Sequence, residues 1–105
     1  METEKQVEQY LKKEVLKRGA LCLKMSPLAN RGIPDRLVVL DGRMRFVELK
    51  KEKGILSEAQ KSFIKRLELK GHVVSVLYSK KDVDRFIKEN FKDNEKENKN
   101  EQKKN

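Results

Sequence analysis

The sequence predicts a single α/β domain, in which a mixed four-stranded sheet is flanked by helices and followed by a C-terminal helix. Three observations lead to this prediction. Helical and strand-like hydrophobic periodicities alternate along the chain in the order α-β-β-β-α-β-α. An Asp41-Gly42 pair joins two strand-like segments, as in a hairpin. The later β-α-β order predicts a right-handed crossover between two parallel strands.

The first helix is predicted from about Glu4 to Arg18. Thr3 and Gln6 have the spacing of a capping box, which satisfies unpaired backbone N–H groups at the start of a helix. Gly19 suits the C-terminal end of this helix. Its inward face is predicted from apolar residues that recur every four positions, namely Val7, Leu11 and Val15.

Three strands are predicted next, over residues 20–25, 36–40 and 44–50, with a loop containing two prolines after the first. Asp41-Gly42 predicts a type I′ turn, which needs a positive φ at both positions. If the turn has two residues, Asp35 lies opposite Glu48 in the antiparallel register. If it is one residue longer, the two acids become diagonal neighbours.

The C-terminal half is predicted to add a helix, a strand and a last helix. Ser57 and Gln60 form a second capping-box pattern, and Gly71 suits the end of that helix. Residues 72–78 are almost continuously apolar, as expected for a strand covered on both faces. Ser79 and Asp82 suit the start of the last helix. The core positions expected from these two helices are Phe63, Ile64, Leu67, Val83, Phe86, Ile87 and Phe91.

Composition excludes several classes of protein. The chain has 105 residues, and its longest apolar run, residues 37–40, is far shorter than the roughly 20 residues of a membrane-spanning helix. A single cysteine, Cys22, excludes a disulfide framework and a cysteine-based zinc site. A single histidine, His72, leaves little room for Ser-His-Asp or Cys-His chemistry. The first residues lack the apolar segment of a secretory signal. We therefore expect a cytoplasmic protein.

The charge distribution predicts a polyanionic partner for the folded domain. The formal net charge is +9, and the last fourteen residues hold five lysines and four acids. Nearly all of the net positive charge therefore belongs to residues 1–91. Residues 92–105 contain no apolar side chain, so we expect a disordered tail there.

The predicted hairpin ends in an unusual group of charges. In the two-residue register, an apolar face terminates in Asp35, Glu48 and Lys50. Directly opposed like charges destabilise a sheet, and a divalent cation that prefers oxygen ligands would remove that repulsion. The alternative is an ordinary solvated strand end. Residues 68–70 repeat the Glu-Leu-Lys triplet near a helix end without a partner acid.

Gly32-Ile33-Pro34-Asp35 followed by Glu48-Leu49-Lys50 resembles the PD-(D/E)xK nuclease superfamily, and more narrowly the VRR-NUC (virus-type replication-repair nuclease) domain. Glu8 in the first helix and Ser57 to Gln60 also fit the family pattern. The resemblance covers about residues 4–88, and no core motif position departs from it. It implies a restriction-endonuclease-like αβββαβ core. Short stand-alone members occur mainly in phages and resemble Holliday-junction resolvases, which implies a metal-dependent homodimeric endonuclease in a bacterial or phage-infected cell.

The resemblance also implies a metal site. Asp35 and Glu48 would ligate Mg²⁺ or Mn²⁺, with the backbone carbonyl of Leu49 as a third ligand. Lys50 would position and polarise the attacking water. Glu8 would lie near the metal through a water molecule.

Two of the implied site residues have alternatives. Glu4 lies one turn before Glu8 on the same helix face and is an alternative to it. Gln60 borders the implied site, where it would hold Lys50 or a phosphate. The Ser57–Gln60 spacing also makes a purely structural helix cap.

Several further residues are candidates for contacts with DNA or with a second copy. Basic and polar residues near the implied site are expected to bind phosphates, namely Lys24, Ser26, Arg31, Lys51 and Lys53. Apolar loop residues without a place in the predicted core are candidates for a homodimer interface, namely Leu28, Ile55 and Leu56. The expected function is that of a metal-dependent, structure-selective DNA endonuclease acting on branched DNA. The alternatives are a non-catalytic DNA-binding module that keeps this fold and a protein-interaction domain.

Overall fold

The computed structural model describes residues 1–26, 28 and 30–91. Its elements follow the predicted order: α1 (Glu4–Lys17), β1 (Leu21–Lys24), β2 (Arg36–Leu40), β3 (Arg43–Leu49), α2 (Glu58–Leu69), β4 (Val74–Leu77) and α3 (Lys80–Phe91). The predicted α/β class is therefore confirmed. The predicted tail, residues 92–105, lies outside the described residues. In the ranges that are described, no helix is long and apolar enough to cross a membrane.

The four strands form one mixed sheet in the order β1-β2-β3-β4. The first three strands pair antiparallel, and β3 pairs parallel with β4 through the α2 crossover, as predicted. Leu40 faces Arg43 across the hairpin, so the turn has two residues. The same register, continued by one pair beyond Arg36 and Val47, brings Asp35 opposite Glu48.

The hairpin turn differs from the predicted type I′. Gly42 has a φ of +76°, whereas Lys53 is the one non-glycine residue with a positive φ among those described. Asp41 therefore keeps a negative φ, and the type I′ prediction is wrong. The left-handed conformation brings a Cβ close to the following carbonyl. Gly42 has no Cβ and takes that conformation alone.

One face of the sheet carries the core. Helices α1 and α3 pack on this face, and Tyr10 on α1 donates a hydrogen bond to Asp84 on α3. Fully or nearly fully buried apolar side chains come from both helices and all four strands, namely Val7, Leu11, Val15, Ala20, Cys22, Val38, Leu40, Val47, Leu49, Leu77, Val83, Phe86 and Ile87. The predicted inward faces of the first and last helices are thereby confirmed, except that Phe91 is only half-buried against this core.

The opposite face of the sheet is covered only in part. Helix α2 lies on this side with Phe63, Ile64 and Leu67 half-buried, and it has no fully buried residue. The expectation that α2 buries these side chains is therefore wrong in degree. The expected double cover of the fourth strand is also incomplete. Because β4 is an edge strand under a lightly packed helix, only Leu77 is buried there.

Beyond α2, the same face exposes an apolar surface formed by β1, β2 and β3. We call this surface the open sheet face. Leu21, Leu23 and Met44 are exposed on it, and Leu37 and Val39 are half-buried between them. The register puts these residues on the same side as Glu48, because side chains alternate between the two faces of a strand.

Candidate metal centre

Two carboxylates meet where β2 begins and β3 ends. The Leu49 backbone N–H donates to Asp35 Oδ2 at 2.8 Å, which fixes the Asp35 carboxylate against the end of β3. Glu48 lies opposite Asp35 in the hairpin register and is only 2% exposed. The two-residue turn and the alternation of β3 together produce the pair that the sequence predicts.

The environment of Glu48 disfavours a second negative charge. Burial, together with the neighbouring Asp35 carboxylate, raises the pKa of Glu48 to about 8, although Lys50 acts in the opposite direction. Near neutral pH the pair therefore tends to retain a proton. A bound cation would supply the positive charge that lets both carboxylates ionise.

Lys50 lies beside this pair. Its Nζ is 4.0 Å from Glu48 Oε2, and its side chain is mostly buried. The Lys50 backbone N–H donates to the Leu77 carbonyl at 3.0 Å, which continues the β3–β4 pairing to this residue. By contrast, Lys70 of the repeated triplet is the exposed C-cap of α2. The triplet at the hairpin thus meets a second acid, Asp35, whereas the repeated triplet lies at the end of a helix.

Gln60 forms the predicted helix cap, and its side chain also reaches the acid pair, where it contacts Glu48. Its Oε1 accepts from the Ser57 backbone N–H at 2.8 Å, while Ser57 Oγ accepts from the Gln60 backbone N–H at 3.1 Å, which completes the predicted capping box. Its Nε2 donates to Glu48 Oε2 at 2.8 Å. Because the oxygen is held by the helix cap, the amide is oriented with its NH₂ group toward Glu48.

Gly32 brings the loop before Asp35 against the start of α2. It has a φ of +83°, and a Cβ at this position would lie 2.2 Å from the Ala59 carbonyl oxygen and 2.9 Å from the Gln60 nitrogen. Any side chain at residue 32 would therefore push the loop away from the helix. The absence of a side chain at Gly32 therefore lets the loop before Asp35 pack closely against the turn of α2 that carries Gln60.

The donor set fits a hard divalent ion. The two acid side chains supply carboxylate oxygens, and the next residue after Glu48, Leu49, has a backbone carbonyl oxygen. Carboxylate and carbonyl oxygens are the ligands that Mg²⁺ and Mn²⁺ prefer. Among the described residues, no group of three or more His, Cys, Asp or Glu side chains converges to hold a metal. The arrangement is therefore a two-carboxylate site flanked by an ammonium group.

Glu8 pairs with two basic side chains, one from β1 and one from β2. Its Oε2 accepts from Arg36 Nε at 2.8 Å and from Lys24 Nζ at 3.1 Å. Burial raises the pKa of Glu8, but the hydrogen bonds from Lys24 and Arg36 outweigh this effect and hold it below its usual value. Glu4, the alternative, is exposed in the first turn of α1.

Sequence reasoning missed Arg36. The side chain is 6% exposed and lies on the core face of β2 with Val38 and Leu40. The sequence pattern of β2 could have revealed it, because side chains alternate between the two faces of a strand and Arg36 lies on the same face as two apolar residues. A charge at such a position needs a buried partner of opposite sign.

The predicted phosphate-binding residues occupy different surroundings. Lys24 is engaged by Glu8. Ser26 Oγ accepts a hydrogen bond from the Leu28 backbone N–H at 3.3 Å. Arg31 is exposed next to Gly32, and the lysines that follow the motif are exposed in the loop before α2, namely Lys51 and Lys53.

Comparison with known proteins gives one informative result. No family model matches the chain. No curated protein matches it either. Among solved structures, the chain is similar to one described as a VRR_NUC domain, with a TM-score of 0.75 and 32% sequence identity. The similarity covers 83% of this chain and 97% of the other.

Proposed function

The chain belongs to the VRR-NUC family of PD-(D/E)xK nucleases, and from this premise we propose that it is a Mg²⁺- or Mn²⁺-dependent DNA endonuclease that selects branched DNA, such as a Holliday junction, by its structure. The observation that carries the proposal is the pairing of half-buried Asp35 with buried Glu48, with Lys50 beside them. These are the residue types that phosphodiester hydrolysis by a metal-activated water requires.

The residues of the site have different parts in the proposed reaction. Asp35 and Glu48 would hold the ion, together with the Leu49 carbonyl. When bound, the ion would supply Lewis acidity and a lowered pKa for a coordinated water. Lys50 would orient the attacking water and offset the charge that develops on the phosphate. Gln60 would keep Glu48 in position through its 2.8 Å hydrogen bond.

The proposed substrate is DNA recognised by backbone and shape. The net charge of +9 favours a polyanion. Exposed basic residues precede and follow the acid pair along the chain, namely Arg31 in the loop before Asp35 and Lys51 and Lys53 after Glu48. A domain of this size leaves little room for a separate sequence-reading module. We therefore favour selection of branched DNA over recognition of a base sequence.

We further propose that two copies act together. A two-fold symmetric junction offers two equivalent strands, and one domain carries one acid pair. The predicted interface residues Leu28 and Ile55 are 96% and 81% exposed, whereas Leu56 is half-buried. The open sheet face adds a contiguous apolar surface on the side of the acid pair. Exposed apolar surface of this kind is typical of interfaces.

The proposal is tested by incubating the protein with plasmid, linear duplex, flap and four-way junction DNA, each with Mg²⁺, Mn²⁺ or EDTA. We expect paired nicks in the junction with either metal and none with EDTA. Asp35→Ala or Glu48→Ala should abolish cleavage while salt-dependent DNA binding persists. Loss of binding and cleavage together in a folded variant would contradict these roles. Salt-dependent binding without cleavage by the wild type would favour the alternative, a non-catalytic DNA-binding module.

A further inference from the structure

A charged pair is built into the apolar contact between α1 and the sheet. Arg36 is 6% exposed, its Nε lies 2.8 Å from Glu8 Oε2, and its Nη1 donates to the Cys22 carbonyl at 3.2 Å. The surrounding residues of α1 and β2 are apolar core residues, among them Val7, Leu11 and Val38. A buried guanidinium is strongly destabilising without a carboxylate partner. Glu8 is therefore the counter-charge that allows Arg36 to occupy this position.

The pair and the metal-site acids lie on opposite faces of the sheet. Arg36 faces α1, whereas Asp35 and Glu48 face α2, which contributes the hydrogen bond from Gln60. This separation follows from the alternation of side chains along β2. Glu8 thus already has two cationic partners on its own side, Arg36 and the exposed Lys24.

The pair is nevertheless adjacent to the site through the backbone. Arg36 is the first residue of β2 and immediately follows Asp35. The Asp35 carbonyl accepts from the Met25 backbone N–H at 2.9 Å, so the strand pairing continues past Arg36. Any shift of Arg36 toward solvent would therefore move the backbone that carries the Asp35 carboxylate.

We propose that Glu8 and Arg36 are positioning residues, which lock the start of β2 to α1 and so fix Asp35, and that Glu8 has no place among the groups that hold the metal. The inference rests on the proposed function for the identity of the metal centre. If the pair only positions the strand, it can be replaced by uncharged side chains without loss of metal binding. Two apolar side chains of similar size would fill the same space without a charge to neutralise.

The experiment is a double-substitution cycle on the full-length protein, with Glu8→Met, Arg36→Met and the two combined. The melting temperature is measured in EDTA, and Mn²⁺ affinity is measured by calorimetry without DNA. We expect Glu8→Met alone to lower the melting temperature and to weaken Mn²⁺ binding several-fold. The combined variant should regain most of the lost melting temperature and bind Mn²⁺ within twofold of the wild type.

Glu14→Met is the matched control, because Glu14 lies on the same helix and its Oε1 is 2.9 Å from Arg18, an arginine whose side chain is 30% exposed against 7% for Arg36. It should change neither measurement appreciably. A combined variant that regains its melting temperature yet binds Mn²⁺ at least tenfold more weakly would overturn the inference and return Glu8 to the metal site. Wild-type protein that binds no Mn²⁺ would overturn the proposed function, whereas recovery of the melting temperature would still support the pairing.

Discussion

At the scale of single residues, Glu48 is the side chain on which the chemistry of the site depends. It combines almost complete burial, a second carboxylate at close range and an oriented amide from Gln60. These features act on the ionisation of Glu48 in opposite directions. Burial and Asp35 oppose ionisation of Glu48, whereas Gln60 and Lys50 favour it. The balance makes the site sensitive both to protons and to cations.

The pH dependence of stability follows from this balance. Glu48 has a pKa of about 8 in the folded protein, above the ordinary value of 4.5, so the folded state binds its proton more tightly. The metal-free protein should therefore lose stability as pH rises from about 4.5 to about 8, by roughly 1.4 kcal/mol per pH unit at most. Thermal melts in EDTA at pH 6 and pH 8.5 measure this loss, which Glu48→Gln should remove. Saturating Mn²⁺ should stabilise the protein more at pH 8.5 than at pH 6.

Lys50 can be separated from its copy in the repeated triplet. Lys50→Ala removes the ammonium 4.0 Å from Glu48, and we expect at least a hundredfold loss of cleavage with Mn²⁺ affinity retained. Lys70→Ala changes an exposed C-cap of α2 and should remain close to wild type. Single-turnover cleavage of a junction measures both. An inactive Lys70 variant together with an active Lys50 variant would contradict the assignment of the site to the hairpin.

The two roles of Gln60 can be divided between two variants. Ser57→Ala removes the cap acceptor but leaves the Gln60 contact with Glu48, so it should cost about 1 kcal/mol with cleavage nearly unchanged. Gln60→Glu keeps a capping-box residue but replaces the donor with a third acid. Cleavage should then fall at least tenfold, with the melting temperature in Mn²⁺ close to wild type. Equal losses of cleavage in both variants would show that the cap alone matters.

At the scale of elements, the hairpin and the start of α2 assemble the site. Asp41-Gly42 predicted the hairpin, and in both registers that the sequence allowed Asp35 lies near Glu48; the structure has the two-residue turn. It did not predict the turn type, since Gly42 alone accepts the positive φ. Nor did it reveal Arg36 as the partner of Glu8, because pairing between α1 and β2 depends on how the helix docks. The light burial of α2 likewise depends on tertiary packing rather than on its amphipathic pattern.

Gly32 offers a test of how closely these elements must fit. Gly32→Ala would place a Cβ 2.2 Å from the Ala59 carbonyl oxygen at a positive φ, so we expect a loss of about 3 kcal/mol and of most cleavage. Gly42→Ala is the control, because its φ of +76° is similar but no atom beyond its two chain neighbours lies within 4 Å of the added Cβ. It should cost about 1 kcal/mol. Urea unfolding curves of both variants measure the difference, and equal costs would refute close packing at Gly32.

At the scale of the whole molecule, the two faces of the sheet differ in character. One face carries the packed core under α1 and α3, and the other carries the acid pair, α2 and the open sheet face. Substrate approach and association of copies are therefore both expected on the second side. This asymmetry arises because β1 and β2 carry apolar residues on both faces, whereas α2 covers only part of the second face.

The proposed dimer predicts a mass near twice 12.3 kDa by light scattering at micromolar concentration. Leu23→Glu, on the open sheet face, and Ile55→Glu, in the loop before α2, should each shift the protein toward monomers, because a charge would replace exposed apolar surface at the interface. Leu69→Glu is the control, since Leu69 is similarly exposed at the end of α2. A monomeric wild type that still makes paired nicks in a junction would refute the dimer but not the nuclease.

Because α2 buries little apolar surface against the sheet, the free energy of local unfolding differs between helices of the domain. Helix α1 is anchored by three fully buried side chains, whereas α2 has none. Segments with little buried apolar surface open at a lower free energy than the global unfolding transition. Backbone amides of α2 should thus exchange with deuterium sooner than those of α1. Because Gln60 lies in the first turn of α2, each such opening withdraws the hydrogen bond from Glu48, and the site is complete only for the fraction of time that this helix is closed.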